Sequence, residues 1–332
     1  MILNYSYQAQ INKMSSDDDS SETEAADFCA SCGSAEVDDI KLKPCDGCDL
    51  VNYCSDDCQN NHKSEHEAAC KERAAELRDD ILFKQPESTH IGDCPICCVP
   101  LPIQTDKNES MFYSCCCKLI CKGCAYANKL FQHQDNMPET CPFCRHPVPK
   151  TREEFKKNLM KRIEANDQVA LSQMGGKHFD EGDYDGAFKY LKKAADLGNA
   201  DAHYQLSLLY LKGTVVEKDE KKELYHLEEA AIAGHPRARY NLGCYELRSG
   251  SIERADNIGY YEVRANRFER AVKHFSIAAN LGHDGSLKAL KEYYKPGLLS
   301  KDCFAAALRG HYAAVKATKS PQRETAAKYF AE

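Results

Sequence analysis

No stretch of the 332 residues is apolar and long enough to cross a membrane, and the mean hydropathy is −0.61. The opening MILNYSYQAQ lacks the basic start, apolar core and small-residue cleavage site of a secretory signal, so the expected setting is intracellular, cytoplasmic or nuclear. A basic excess is missing too: Lys and Arg number 44 against 51 Asp and Glu, a formal charge of −7. Nucleic-acid binding normally needs a basic stripe, so DNA and RNA are poor candidate partners. Most of the excess negative charge falls before residue 28, where Asp17, Asp18, Asp19, Glu22, Glu24 and Asp27 face only Lys13. That run reads as a solvated, disordered acidic tail over residues 1–28, with a docking segment for a basic partner as the alternative. Tryptophan is absent, and beyond Cys144 the chain has only Cys244 and Cys303.

The other seventeen cysteines crowd between Cys29 and Cys144, many in CxxC pairs. In a chain without a secretory signal, such crowding reads as zinc-nucleated domains rather than a disulfide framework.

The first block runs Cys29-x2-Cys32-x12-Cys45-x2-Cys48-x5-Cys54-x3-Cys58-x7-His66-x3-Cys70. Eight ligands in four close pairs suit two tetrahedral zinc ions. A CxxC pair turns both sulfurs toward one ion, and the i, i+4 spacings of Cys54/Cys58 and His66/Cys70 place two ligands on one helix face. His62 is read as part of a solvated helix face. The run Tyr53–Gln59 and the closing His66-x3-Cys70 resemble a MYND-type zinc finger. The resemblance implies one zinc on Cys29, Cys32, Cys54 and Cys58 and a second on Cys45, Cys48, His66 and Cys70. It also implies binding of short, extended, often proline-containing peptides. Where the family often has tryptophan in its last helix, this chain has Lys63.

The second block has Cys94-Pro-Ile-Cys97, then Cys115, Cys116 and Cys117, then Cys121-Lys-Gly-Cys124 and Cys141-Pro-Phe-Cys144. It resembles a RING finger of the all-cysteine kind. That resemblance implies one zinc on Cys94, Cys97, Cys121 and Cys124, and another on Cys141, Cys144 and two of the middle three. Cys115 with Cys116 is the preferred pair and Cys115 with Cys117 the alternative. Cys98 and the spare thiol read as bystanders, since no histidine base lies close in sequence. A RING docks a ubiquitin-charged E2 enzyme and has no covalent step of its own. The positions implied for E2 contact are Ile96, Pro142 and Arg145, the last orienting the conjugate. Read without the family, Ile96 and Pro142 are loop-packing residues and Arg145 a surface charge.

From about Thr151 the chain turns helical and repeats itself. KKAADLGNADAHYQL, EEAAIAGHPRARYNL and SIAANLGHDGSLKAL share an Ala-Ala pair, a Gly three residues on and a fresh helix start. Paired alanines let helices approach closely, and Gly can take the left-handed conformation that ends a helix. Gly198, Gly234 and Gly282 lie 36 and 48 positions apart. The longer interval coincides with a shift-by-16 duplication, NLGCYELRSGSIERA echoed by NIGYYEVRANRFERA, of which one copy should extend or loop out. Over about residues 165–315 the pattern resembles Sel1-like repeats of the TPR-like group, which implies stacked antiparallel helix pairs.

The expected architecture is multi-domain: two small zinc-stabilised treble or cross-brace modules followed by an all-α Sel1/TPR-like solenoid. Its expected segments are the acidic tail (1–28), MYND-type finger (29–70), helical connector (71–93), RING-type finger (94–146), linker and capping helix (147–164), Sel1-like repeats (165–315) and C-terminal tail (316–332). The expected cofactor is Zn2+, four ions. The expected function is a protein-interaction adaptor acting as a RING-type E3 ubiquitin ligase, with client peptides and an E2 as partners. The alternative is a non-enzymatic scaffold.

Overall fold

A computed structural model describes residues 28–37, 41–103, 109–249 and 257–330, with backbone only for 257–264. The chain divides into two compact units, Met1–Ile81 and Leu82–Glu332.

In the first unit, β1 (Lys43–Pro44) pairs antiparallel with β2 (Asn52–Tyr53), and Cys29 bridges to Asn52. Helix α1 (Asp56–Phe83) starts where Ser55 Oγ accepts from Cys58 N at 3.2 Å and where Asp56 and Asp57 meet the positive end of the helix dipole. Ion pairs one turn apart, such as Lys71–Glu67 at 2.5 Å, support its polar length. The core is Cys29, Cys45, Cys48 and Tyr53 with Leu42, Leu50 and Val51 around them. So small an apolar core, half of it cysteine, cannot hold a fold without a cross-link.

The expected connector differs from what forms. Residues 71–83 continue the finger's own helix, and Leu82 at its end belongs to the second unit, buried with Leu227, Ala230, Ala231, Ala238 and Leu242. The fully buried Arg239 caps that end by donating to the carbonyls of Leu82 and Lys84.

In the second unit, β3 (Ser110–Tyr113) and β4 (Lys118–Cys121) form an antiparallel hairpin in the register Phe112↔Leu119. Helix α2 (Lys122–Gln134) follows, capped by Cys121 Sγ, which accepts from Cys124 N at 3.4 Å. Helix α3 (Arg152–Glu164) is capped by Thr151, which accepts from Glu154 N, while Glu154 accepts from Lys150 N.

Antiparallel pairs then stack: α4 (Gln168–Asp180) with α5 (Tyr184–Asp196), α6 (Ala200–Lys212) with α7 (Glu220–Ile232), α8 (Pro236–Ser249) with α9 (Asn257–Asn280), and α10 (Asp284–Tyr294) with α11 (Lys301–Ala317). The alanine pairs Ala194–Ala195, Ala230–Ala231 and Ala278–Ala279 are buried where helices cross. Gly198, Gly234 and Gly282 take φ of 83°, 79° and 90°, each ending a helix just before Asn199, His235 or His283 opens the next. At Gly234 a side chain would also collide, because a Cβ there would meet Ser88 O at 2.5 Å.

Among the described residues the duplicated segment yields no extra hairpin. Its first copy ends α8, residues 250–256 lie outside the described ones, and the second copy prolongs α9 to 24 residues, nearly twice the length of α7. A second difference concerns the expected C-terminal tail at 316–332: α11 runs to Ala317, and Pro321–Tyr329 form helix α12, packed on α2. Its register for burial, with Ala326 fully enclosed, is too short a pattern to stand out in sequence.

The Cys94–Cys144 block is also less separate than expected. Phe112 and Cys117 join one cluster with Leu159, Ala170 and Met174 of α3 and α4.

His274 lies fully buried on α9, 4.7 Å from the Phe83 ring, and neither ring nitrogen has a hydrogen-bond partner. Burial, reinforced by Arg239 and Arg270, pushes it down to about 3. Because its folded value is depressed below that of an unfolded histidine, the unfolded chain binds the extra proton. Its contribution is therefore full above the unfolded value and is lost as pH falls below it. Between pH 7 and 5 this costs about 2 kcal/mol. Melting His274→Leu beside the unsubstituted chain across that range should show the variant gaining by this amount toward pH 5. Parallel pH profiles would contradict it.

Candidate metal centres

Four of the five CxxC knuckles, and the Cys115–Cys116 turn, are built alike. Gly33, Asp49, Cys98, Cys117 and Arg145, each directly after the last cysteine of a pair, all have φ between 53° and 74°. In these four knuckles the amide four residues on returns to the first cysteine's carbonyl: Gly33 N→Cys29 O, Cys98 N→Cys94 O and Arg145 N→Cys141 O at 2.8–2.9 Å, and Asp49 N→Cys45 O at 3.3 Å. The first cysteine's own amide reaches forward to Ser34, Val99 or His146. This tight loop turns the two sulfurs of a pair to one side, and left-handed backbone in non-glycine residues is the strain it carries. The only trace in sequence is the Gly or Asp that follows two of the pairs.

The ligand atoms gather in four groups: Cys29, Cys32, Cys54 and Cys58; Cys45, Cys48, His66 and Cys70; Cys94, Cys97, Cys121 and Cys124; and Cys115, Cys116, Cys141 and Cys144. Within a group all ligand atoms lie within 4.8 Å of one another. In both blocks the first pair joins the third and the second joins the fourth, so the two groups of a block interlock. Cys117 turns away, donating to Ser114 O, and packs among apolar side chains that push its thiol up to about 11.

Separations decide what the sulfurs suit. Cys32–Cys54 and Cys54–Cys58 are 3.6 Å, Cys45–Cys70, Cys97–Cys121 and Cys116–Cys141 are 3.8 Å, and Cys115–Cys144 is 3.4 Å. A disulfide needs about 2.05 Å. A tetrahedral zinc with bonds of about 2.3 Å sets its sulfurs roughly 3.8 Å apart. His66 presents Nε2 to Cys48 Sγ at 3.0 Å.

Electrostatics agrees with a cation at each centre. Although burial alone would raise Cys29 and Cys94, backbone amides hold the first at about 6, with donors from Cys32, Cys54 and Ser31, and the second at about 7, with donors from Cys97, Cys121 and Ile96. Their neighbours go the other way. Burial first, then adjoining cysteines, pushes Cys48 and Cys116 up to about 12, and hydrogen bonding to Cys32 and Cys58 does the same to Cys54. Four crowded thiols cannot all ionise unless a divalent ion offsets the repulsion, so the donor set fits zinc.

His62 is not on a solvated face. Its Nδ1 lies 3.0 Å from Tyr53 OH and its ring stacks on His66 at 5.7 Å, so it buttresses a ligand from behind.

Of the residues expected at a partner surface, Ile96 is exposed, Pro142 half-buried, and Phe143 beside it exposed. The Arg145 guanidinium donates to Asn128 Oδ1 at 3.1 Å, and Asn128 in turn donates to Thr140 O at 3.0 Å.

A fifth group joins His90, Asp201 and His235. Ala238 N donates to His235 Nδ1 at 3.2 Å, so the neutral ring carries its proton on Nε2, facing Asp201 Oδ1 at 3.2 Å. His90 Nε2 lies 3.1 Å from the same oxygen. With one nitrogen accepting and the other protonated, His235 has no lone pair for a metal. The triad instead ties the loop before Cys94 to α6 and α8.

Residues 29–70 match the family model for the MYND finger, and residues 164–199, 200–235 and 236–283 match that for the Sel1 repeat. The matched segments do not include the second cysteine block. Among solved structures, the chain is similar to a Sel1 repeat protein from Oxalobacter formigenes, with 24% identity over 41% of this chain and 97% of that one and a TM-score of 0.34. It is also similar to c5321, a protective antigen of uropathogenic Escherichia coli strains with an SLR fold, with 16% identity over 62% of this chain and a TM-score of 0.32. The match spans about half, 51%, of the c5321 chain. No curated protein matches the sequence significantly. No described helix is long and apolar enough to cross a membrane. A MYND finger, which implies zinc, thus precedes Sel1 repeats in one chain, the composition of a protein-interaction adaptor.

Proposed function

We propose that the chain is a four-zinc adaptor whose second cysteine block acts as a RING-type E3 ubiquitin ligase, with the MYND finger and the Sel1 repeats engaging client proteins. The observation that carries this reading is the pairing of two interlocked four-sulfur groups with exposed apolar side chains on their knuckle loops. Ile96 is 42% and Phe143 46% exposed, on the two knuckle loops that flank the metal groups. Exposed apolar residues on rigid loops suit a docking groove for a partner protein. In this reading Ile96 and Pro142 contact the E2, and Arg145 hydrogen-bonds both proteins of the conjugate. The acceleration would come from restricting a flexible intermediate, while the bond-making groups belong to the E2.

One observation favours the non-enzymatic scaffold. Arg145 is held back by Asn128 on α2, so reaching a conjugate requires that bond to break. Autoubiquitination across a panel of E2 enzymes separates the two. The ligase reading expects ubiquitin chains with at least one E2, reduced at least tenfold by Ile96→Ala and by Arg145→Ala. No chains with any E2, from protein shown to hold its zinc, would leave the scaffold.

A further inference from the structure

Helix α12 is seated on the Cys94 group through one side chain. Ser320 and Pro321 start the helix, and Ser320 Oγ accepts from Arg323 N at 3.3 Å. The Arg323 guanidinium then fans out. Nη1 donates to Pro100 O at 2.6 Å and to Thr318 O at 2.7 Å, while Nη2 donates to Val99 O at 2.9 Å and to Cys97 Sγ at 3.6 Å. Val99 and Pro100 are in the loop directly after the Cys94–Cys97 knuckle. The same residue meets the first turn of α2, where Gly123 leaves the space: a Cβ there would lie 3.0 Å from Arg323 N and 3.2 Å from Arg323 Cα. Tyr329 packs on Tyr126 with ring centroids 4.5 Å apart, and Lys122 Nζ lies 5.1 Å above the Phe330 ring.

Four thiolates around a divalent zinc leave two negative charges in excess. Cys94, Cys121 and Cys124 are buried, so water screens those charges poorly. A guanidinium on a ligating sulfur offsets one of the two and, through Val99 and Pro100, fixes the loop that aims Cys97.

We propose that Arg323 is an outer-sphere partner of the metal held by Cys94, Cys97, Cys121 and Cys124, so that the C-terminal helix is part of that metal centre. The inference rests on the reading of this group as a zinc site. By linkage the effect runs both ways: the docked helix tightens zinc binding, and zinc loss weakens docking of the helix. Arg323 acts through the ligands rather than on a substrate. Its helix leaves Ile96 and Phe143 exposed, so a partner surface on the knuckle loops stays open.

The test uses the full zinc-loaded chain with Arg323→Met and Arg323→Lys. Each is mixed with EDTA and a thiol-alkylating reagent, and modification of every cysteine is followed by mass spectrometry. Arg323→Met should speed modification of Cys94, Cys97, Cys121 and Cys124 by about 10-fold or more, the usual scale for an outer-sphere partner. Cys29, Cys32, Cys54 and Cys58 should be unchanged. Arg323→Lys, which keeps the charge, should recover part of the protection. In cobalt-loaded protein the thiolate-to-metal absorption should shift in the Met variant. Hydrogen exchange should show α12 losing protection when the wild-type chain is stripped of zinc. Equal modification rates in the Met variant and the wild type, with zinc bound in both, would overturn the proposal alone. Rapid modification of Cys94 and its three companions in the wild type before any EDTA is added would instead remove the zinc site itself, and the proposal with it.

Discussion

Stripping zinc from the reduced chain should abolish the folded state of residues 29–70 while most of the helical circular dichroism survives. Structural zinc supplies about 10–16 kcal/mol of apparent free energy to modules of this size. The first unit has little to set against that loss, because its buried cluster is three ligand cysteines and one tyrosine. The second block responds differently. Its hairpin shares a core with α3 and α4 through Phe112 and Cys117, and its first metal group is clasped by α12. Hydrogen exchange after chelation should therefore show α3, α4 and α12 loosening, with α6 to α8 protected. Complete loss of the helical signal would contradict this division, as would retained protection around Cys45 and Cys48 without metal.

The converse experiment cuts the solenoid and spares the first finger. Leu191 of α5 is fully buried among Leu171, Ala187, Ala194, Ala202, Leu206 and Leu209. It also fills the space above Gly175, where a Cβ would approach its side chain to 2.7 Å. Leu191→Ala should destabilise the helical unit by about 2–5 kcal/mol, the usual cost of a buried leucine whose cavity cannot collapse. That is a large share of the roughly 5–15 kcal/mol that holds a domain together. Repeats are stable only against their neighbours, so the loss should spread from α4 and α5 into α6. Urea unfolding followed by circular dichroism measures it, while zinc bound by residues 29–70 should remain. A loss below 1 kcal/mol, or release of that zinc in the same transition, would contradict it.

What could be read from the chain divides along physical lines. The cysteine and histidine pairs were legible because residue type and spacing are local, whereas which pairs share a group followed from the likeness to MYND and RING fingers, and the side chains gather in those groups. The helix pairs were legible because Ala-Ala and the left-handed glycine recur at Gly198, Gly234 and Gly282. Two features were not legible, and each depends on contacts distant in sequence. His62 looked solvated because its partners, Tyr53 and His66, meet it only once the β1–β2 turn folds back on α1. Residues 316–332 looked like a tail because nine helical residues with one buried alanine leave no periodic stripe, and Arg323 finds its carbonyls more than 220 positions earlier. Cys115 with Cys116, preferred on family likeness, is the pair that joins Cys141 and Cys144, and the packing of Cys117 against Leu159 and Met174 supplies the physical reason.

The account stands on metal holding the cysteine groups together, and native mass spectrometry of the reduced, purified chain tests that most directly. A mass excess of four zinc ions per chain, falling to the bare mass on acid denaturation, is the result it requires. A folded chain at its bare mass, with every thiol open to alkylation, would contradict it.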